Sequence, residues 1–167
     1  MYPEIYNPSK YRYGERWKKR SLEDAFECIH CQAQVYTQPM ISRVQNRNHC
    51  PYCLCSRHVD HSQAGDRLSA CKAIMQPIGL TVKPNRNKYR GMNYGELMLV
   101  HRCSDCGKLC INRLAADDQV ERLLEIFYAS MGLDVATHEQ LRQSGIDILQ
   151  EDDWRLVVGQ LQGILDM

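Results

Sequence analysis

The residues with the most chemical potential lie in one stretch, Arg47 to Asp60, which reads RNHCPYCLCSRHVD. It places Cys50, Cys53, Cys55, His49 and His58 within fourteen positions. Cys50-Pro51-Tyr52-Cys53 has the form of a CxxC knuckle, a tight turn that points two thiolates at one metal. A second pair, Cys28 and Cys31, lies upstream, with eighteen residues between the pairs. That spacing suits a tetrahedral site of Cys28, Cys31, Cys50 and Cys53, because zinc takes four thiolates and each turn supplies two without strain. A third knuckle, Cys103-Ser104-Asp105-Cys106, requires partners from elsewhere in the chain.

The elements that position these knuckles are short. Phe26 to Tyr36 alternates weakly and predicts a hairpin carrying the first pair, and Gln38 to Asn46 reads as a connection. Ile74 to Val82 and Leu97 to Arg102 are apolar enough for two paired strands. Between them Lys83 to Gly91 carries Lys83, Arg86, Lys88 and Arg90 with Tyr89 and no acid, and its Pro and Gly predict a projecting turn. After Asp117 the pattern becomes helical. Asp118 and Glu121 form a capping pair ahead of Val120, Leu123, Leu124, Phe127 and Met131, with Gly132 at the end. Thr137 and Gln140 open a second, weaker helix with Leu141, Ile148 and Leu149. Asp152 or Asp153 caps a third, whose apolar stripe is Trp154, Val157, Val158, Leu161, Ile164 and Leu165.

The chain has 167 residues, 44% of them apolar, but nine of those are Cys and only two are Phe. Such a chain buries a modest core, and metal must help hold the Cys-rich part together. No signal peptide opens the sequence, and no window approaches the roughly 20 apolar residues of a membrane span. The expected location is therefore the cytoplasm, where thiols stay reduced and CxxC pairs favour metal over disulfides. An odd cysteine count fits poorly with a fully bridged framework. The net charge of +1 conceals a split: residues 1–116 hold 18 Lys+Arg against 9 Asp+Glu, and residues 117–167 hold 3 against 11. The basic part suits phosphate, and the acidic part suits the basic part or a basic partner.

Arg47-Asn48-His49-Cys50-Pro51 resembles the motif after which the bacterial RNHCP family is called. The likeness continues through Ser56 to Asp60, Gly65-Asp66-Arg67, Cys71 and Met75-Gln76-Pro77-Ile78. It runs on through Gly95-Glu96, His101-Arg102-Cys103, Cys106-Gly107, Asn112-Arg113 and Ala116-Asp117-Asp118, and so covers about residues 26–118. The resemblance implies a small zinc-ribbon-like protein and no particular activity. Within the matching stretch, Cys71 and His58 are the choices to complete a second site with Cys103 and Cys106, and Asp60 could orient the His58 imidazole. Cys55, Cys110 and His101 compete for the fourth place. His49 and His101 read otherwise as hydrogen-bonded histidines, and Cys110 as a small buried or free thiol.

The expected fold is a small α+β protein, with zinc-ribbon or treble-clef-like hairpins stapled by two metal sites and a C-terminal bundle of about three short helices. Its divisions are a basic aromatic arm at 1–25, a two-zinc domain at 26–118 and an acidic helical appendage at 119–167. Two zinc ions with only protein ligands leave no open position for hydrolysis, so the expected role is structural. RNA, the ribosome or translation machinery included, is the expected partner. Tyr2, Tyr6, Tyr11, Tyr13 and Trp17 interleave with Arg12, Arg16, Lys18, Lys19 and Arg20, which suits stacking on unpaired bases. Arg86, Lys88, Tyr89 and Arg90 would add a second contact; the plainer alternative for each is a solvated segment. Two other functions compete. Val59-Asp60-His61 with Asn112 and flanking CxxC pairs resembles HNH nucleases, though His61 lies outside the RNHCP-like matches. The acidic helices could instead dock a protein partner.

Overall fold

The computed structural model describes residues 25–63, 65–84 and 95–163. The expected first hairpin is present: β1 (Ala25–Glu27) and β2 (Gln34–Tyr36) pair antiparallel with Phe26 opposite Val35. The connection after it holds one helical turn, α1 (Pro39–Ser42), with Pro39 at its first position and Arg43 left-handed at its end (φ 58°). Proline is pre-set for that first position, but a single turn is too short to show a period in the sequence.

A four-stranded antiparallel sheet follows in the order β3-β4-β5-β6, formed by Ser56–Arg57, Ile74–Lys83, Glu96–Cys103 and Leu109–Arg113. The two strands expected from apolar runs are β4 and β5. The flanking strands had no such signal, because β3 is two residues long and β6 reads LCINR, mixed in type and half-buried up to the exposed Arg113. β5 is buried from Leu97 to His101, as befits a central strand covered on both faces.

Leu80, Leu97 and Leu99 of the sheet form one core with Leu54, with Leu123, Ile126 and Phe127 of α2 (Val120–Ala129), and with Val157 of α4 (Trp154–Gln162). The acidic C-terminal third therefore packs on the sheet through its apolar side. It also covers an edge. Beyond its short pairing with β3, strand β4 meets the segment 147–149, where Leu149 N–H donates to Leu80 O at 2.8 Å and Thr81 Oγ1 donates to Asp147 O at 2.6 Å. Gly79 admits this segment, since a Cβ there would lie 2.2 Å from Ile148 Cδ1. This contact satisfies the Leu80 carbonyl and covers part of an edge that would otherwise be open.

Three helix starts differ from expectation. Gln119, not Asp118, precedes α2 and offers no side-chain cap; Asp118 is buried and committed elsewhere. Asp134 caps α3 (Val135–Gln143), accepting from Thr137 N–H at 2.8 Å, so Thr137 sits inside the helix it was expected to open. Asp153 precedes α4, but its carboxylate accepts the Gln150 N–H at 2.8 Å and closes a 3-10 turn at Glu151–Asp153. In α4, Val157 is fully buried while Trp154 is 45% exposed, under the Arg155 guanidinium, so the apolar stripe begins one turn later than its spacing suggested. Ile164 and Leu165 lie outside the described residues. Among the described residues, no helix is long and apolar enough to cross a membrane.

Candidate metal centres

Three CxxC turns adopt one geometry. In the first, Gln32 N–H donates to Cys28 O at 2.9 Å and Cys28 N–H donates to Ala33 O at 2.9 Å. The second repeats this with Leu54 N–H to Cys50 O at 2.9 Å and Cys50 N–H to Cys55 O at 3.0 Å. The third does so with Gly107 N–H to Cys103 O at 3.1 Å and Cys103 N–H to Lys108 O at 2.8 Å. Each turn closes on a left-handed residue directly after its second cysteine: Gln32 (φ 61°), Leu54 (φ 60°) and Gly107 (φ 71°). Lys72, after the single Cys71, is left-handed too (φ 53°). Non-glycine residues enter this region at a cost, and here it is accepted after Cys31, Cys53 and Cys71, while the third knuckle uses glycine.

The turns bring the thiols into two groups. Cys28, Cys31, Cys50 and Cys53 have their sulfurs within 4.8 Å of one another, and so do the ligand atoms of His58, Cys71, Cys103 and Cys106. These are the same two sets that spacing and the family resemblance paired. In the first, Cys28 Sγ to Cys53 Sγ and Cys31 Sγ to Cys50 Sγ are both 3.5 Å. In the second, Cys71 Sγ to Cys103 Sγ is 3.6 Å and Cys106 Sγ to His58 Nδ1 is 3.4 Å. All nine cysteines are free thiols. A zinc tetrahedron with Zn–S of about 2.3 Å has edges of about 3.8 Å, so both groups can hold a metal ion with little movement.

The electrostatics of the two groups favour a cation. Burial pushes Cys50 up to about 11 although the N–H groups of Cys53 and Tyr52 favour its thiolate, and burial raises Cys53 further. Cys31 is lowered: burial opposes ionisation, but the Ala33 N–H and the thiols of Cys50 and Cys53 outweigh it. In the second group burial again opposes ionisation, while the N–H groups of Cys106 and Asp105 bring Cys103 down to about 6. Cys71 accepts the Ala73 N–H, yet desolvation and its sharing with Cys103 and Asp105 leave it near 11. Clustered thiolates repel one another, four in the first group and three in the second, so each group spreads its protons until an ion replaces them; binding must release protons.

Behind the first group stands a clamp built from the residues just before Cys50. The Arg47 guanidinium is buried, with Nη1 donating to both Asp117 oxygens at 2.6 Å and Nη2 to Asp118 Oδ1 at 3.1 Å. His49 Nε2 lies 2.8 Å from Asp118 Oδ2, which also accepts the Ala115 N–H at 2.7 Å. Gln119 N–H donates to Pro51 O at 3.1 Å. The start of α2 is thus locked onto the second knuckle, and this explains Asp118's absence from the helix cap. A neighbouring chain runs from Asn48 Nδ2 to Asn112 Oδ1 (2.7 Å), from Asn112 Nδ2 to His101 Nδ1 (2.8 Å), and from His101 Nε2 to Leu54 O (2.7 Å). Burial, with His49 nearby, lowers His101 to about 3, so it is neutral and shares both ring nitrogens within this chain. Sequence spacing hid these networks, because all their long links but Asn112 to His101 join residues 47 to 71 positions apart; only the two adjacent acids after Ala116 hinted at one.

Several expected roles fall elsewhere. Asp60 does not orient His58: its carboxylate accepts from Gly65 N–H at 2.8 Å and Arg67 N–H at 3.1 Å, and His58 Nε2 is buried with no hydrogen-bond partner among the described residues. Asp60 therefore shapes the loop between His58 and Cys71, helped by Asp66, which accepts the N–H groups of His61, Ser62, Gln63 and Leu68. Those bonds hold Asp66 far below the usual carboxylate range. Cys110 is half-buried, and burial raises its thiol to about 11. Cys55 lies beside Cys53 and His30, away from the second group. Arg12, Arg16, Trp17, Lys18, Lys19, Arg20, Arg86, Lys88, Tyr89 and Arg90 lie outside the described residues.

Small antiparallel hairpins, one-turn knuckles and two Cys/His groups define a small α+β, zinc-ribbon-like protein. The family model for the RNHCP domain matches residues 23–124, and the chain belongs to that family. No curated protein and no solved structure matches it.

Proposed function

We propose that the protein is a non-catalytic module with two structural zinc ions that binds RNA through its basic part. The observation that carries this reading is the pair of four-ligand groups, one S4 and one NS3, each complete from protein side chains. A closed tetrahedron holds a fold and offers no site for an attacking water. Among the described residues, no metal-competent group includes Asp60 or His61, which weighs against the nuclease alternative.

RNA is favoured by charge. Residues 1–116 carry twice as many cations as acids. Two clefts of about 210 and 340 Å³ share Asn48, Ser56, Arg57 and Val59; one reaches His58 and the other Cys28, so they adjoin both groups. Arg57, Arg67 and Lys108 stand on these clefts and can meet phosphate oxygens. The acidic helices offset the basic part, and a protein partner on them is a secondary role.

The experiment measures binding of the zinc-loaded chain to ribosomes and to short single-stranded RNA at two salt concentrations. Association at low salt that weakens steeply at high salt supports the reading, because phosphate contacts release counterions. No association at low salt overturns it.

A further inference from the structure

A third group of ligand atoms lies against the first. His30, in the first knuckle, and Cys55, two residues after the second, approach Cys53 so that one ligand atom from each lies within 4.8 Å of the others. Cys55 is 6% exposed, whereas His30 is exposed at the tip of its turn. The four-cysteine group is complete without either of them. Their convergence on one of its sulfurs therefore asks for its own explanation.

We propose that His30, Cys53 and Cys55 form a third metal position, for a thiophilic divalent d10 ion such as zinc or cadmium, which shares the Cys53 thiolate with the four-cysteine site. A thiolate sulfur keeps lone pairs after binding one ion and can bridge to a second. A divalent ion within four thiolates leaves that site with a net charge of −2, which favours a second cation at its edge. As the new ion binds, the Cys55 thiol gives its proton to solvent and forms a sulfur–metal bond. Cys53 donates a second lone pair, and a neutral His30 ring nitrogen donates the third. Imidazole with two thiolates is a borderline-soft set that suits such ions. Three protein ligands leave one coordination position for water or an anion, on the side where exposed His30 gives entry. Metal would thus play two parts at this end of the molecule: one ion enclosed and structural, the other exchangeable and reachable by solutes.

The test uses the full chain loaded with excess ¹¹³Cd²⁺, with stoichiometry read by native mass spectrometry and bridging by ¹¹³Cd NMR. The expected result is three ions per chain and one pair of mutually coupled cadmium resonances. His30→Ala, which alters an exposed side chain, and Cys55→Ser should each bind two ions and lose the coupling. Fewer than three ions on the native chain, three ions without a coupled pair, or a third ion retained in both variants would overturn the proposal. It goes beyond the RNA reading, and a failure here leaves the two enclosed sites and the RNA measurement standing.

Discussion

The two metal groups hold different amounts of structure. The first joins two complete knuckles; behind the upstream one stand the three-residue strands β1 and β2 and a small cluster of Cys28, Val35 and Cys50 with Phe26 and Ala33, and behind the other stands the clamp of Arg47 and His49 on Asp118. The second joins one knuckle to two single ligands, His58 and Cys71, at the end of a four-stranded sheet with its own leucine-rich core. The same chemistry does unequal work. At the first group the ion replaces a core the chain does not have; at the second it ties a loop to a body that packs without it.

Cysteine substitutions break this comparison most directly. Cys28→Ser should remove one ion and unfold the whole 25–36 hairpin, since metal binding is worth about 10–16 kcal/mol in zinc-finger peptides and little else holds this hairpin. Cys71→Ser should also remove one ion, yet release only the 58–72 loop while β4 and β5 keep their amide protection. Metal analysis with hydrogen exchange reads both. Loss of β4–β5 protection in Cys71→Ser would show that the sheet depends on metal as much as the hairpin does.

The next effect concerns the clamp that fastens the first group to the body. Asp118→Ala leaves the Arg47 guanidinium with Asp117 and the His49 carbonyl, and takes away the partner of His49 Nε2. Removing one member of a buried ion pair costs roughly 3–5 kcal/mol, and chemical denaturation should find a loss of that size. Asp117 has a side chain that is 30% exposed, so Asp117→Ala should cost less. Equal losses would mean that burial does not set the strength of the clamp.

How much of this contrast was legible in sequence follows the same division. The first group was readable from two CxxC pairs at zinc spacing, because all its ligands come from local turns. The second needed the family pattern to select His58 and Cys71, since single ligands in a long chain carry no spacing rule. The apolar runs of β4 and β5 showed in the sequence, whereas β3 and β6 are too short or too mixed for a period. The Asp118 error has a physical cause: an acid three residues before a Glu satisfies the capping pattern, but burial beside Arg47 and His49 wins. Asp60 misled in the same way, because its loop's backbone N–H groups took the carboxylate that the nearby imidazole was expected to use.

His101 links the two groups and responds to pH. It lies on β5, two residues before Cys103, and donates to Leu54 of the second knuckle, so it braces one group against the strand that carries the other. Its folded pKa of about 3 lies below the model-peptide value of about 6.5. Between these values the unfolded chain binds more protons, so this contribution is intact above about pH 6.5 and is lost as pH falls toward 3. His101→Gln removes the titration and should lower stability at pH 7. The gap between wild type and variant should then narrow by a few kcal/mol, on the order of the pKa difference, as pH drops from 7 to 4. A gap that stays constant in denaturation curves across that range would mean that His101 does not titrate on unfolding.

The smallest effects lie in the knuckles themselves and carry opposite signs at the two groups. Gln32 closes a knuckle of the first group at φ 61°, and Gly107 closes that of the second at φ 71°. A side chain in this region crowds its own carbonyl, and glycine avoids the penalty of roughly 1–2 kcal/mol. Gln32 is exposed and Gly107 has room for a Cβ, its nearest neighbour being Gln140 Nε2 at 3.8 Å, so packing changes little at either place. Gln32→Gly should therefore stabilise by up to about 1 kcal/mol, the gain being reduced by the greater freedom of glycine in the unfolded chain. Gly107→Ala should destabilise by about 1 kcal/mol or somewhat more. Thermal melts of the metal-loaded variants measure both. If both substitutions shift the midpoint in the same direction, the left-handed residue is not where the knuckles store their strain.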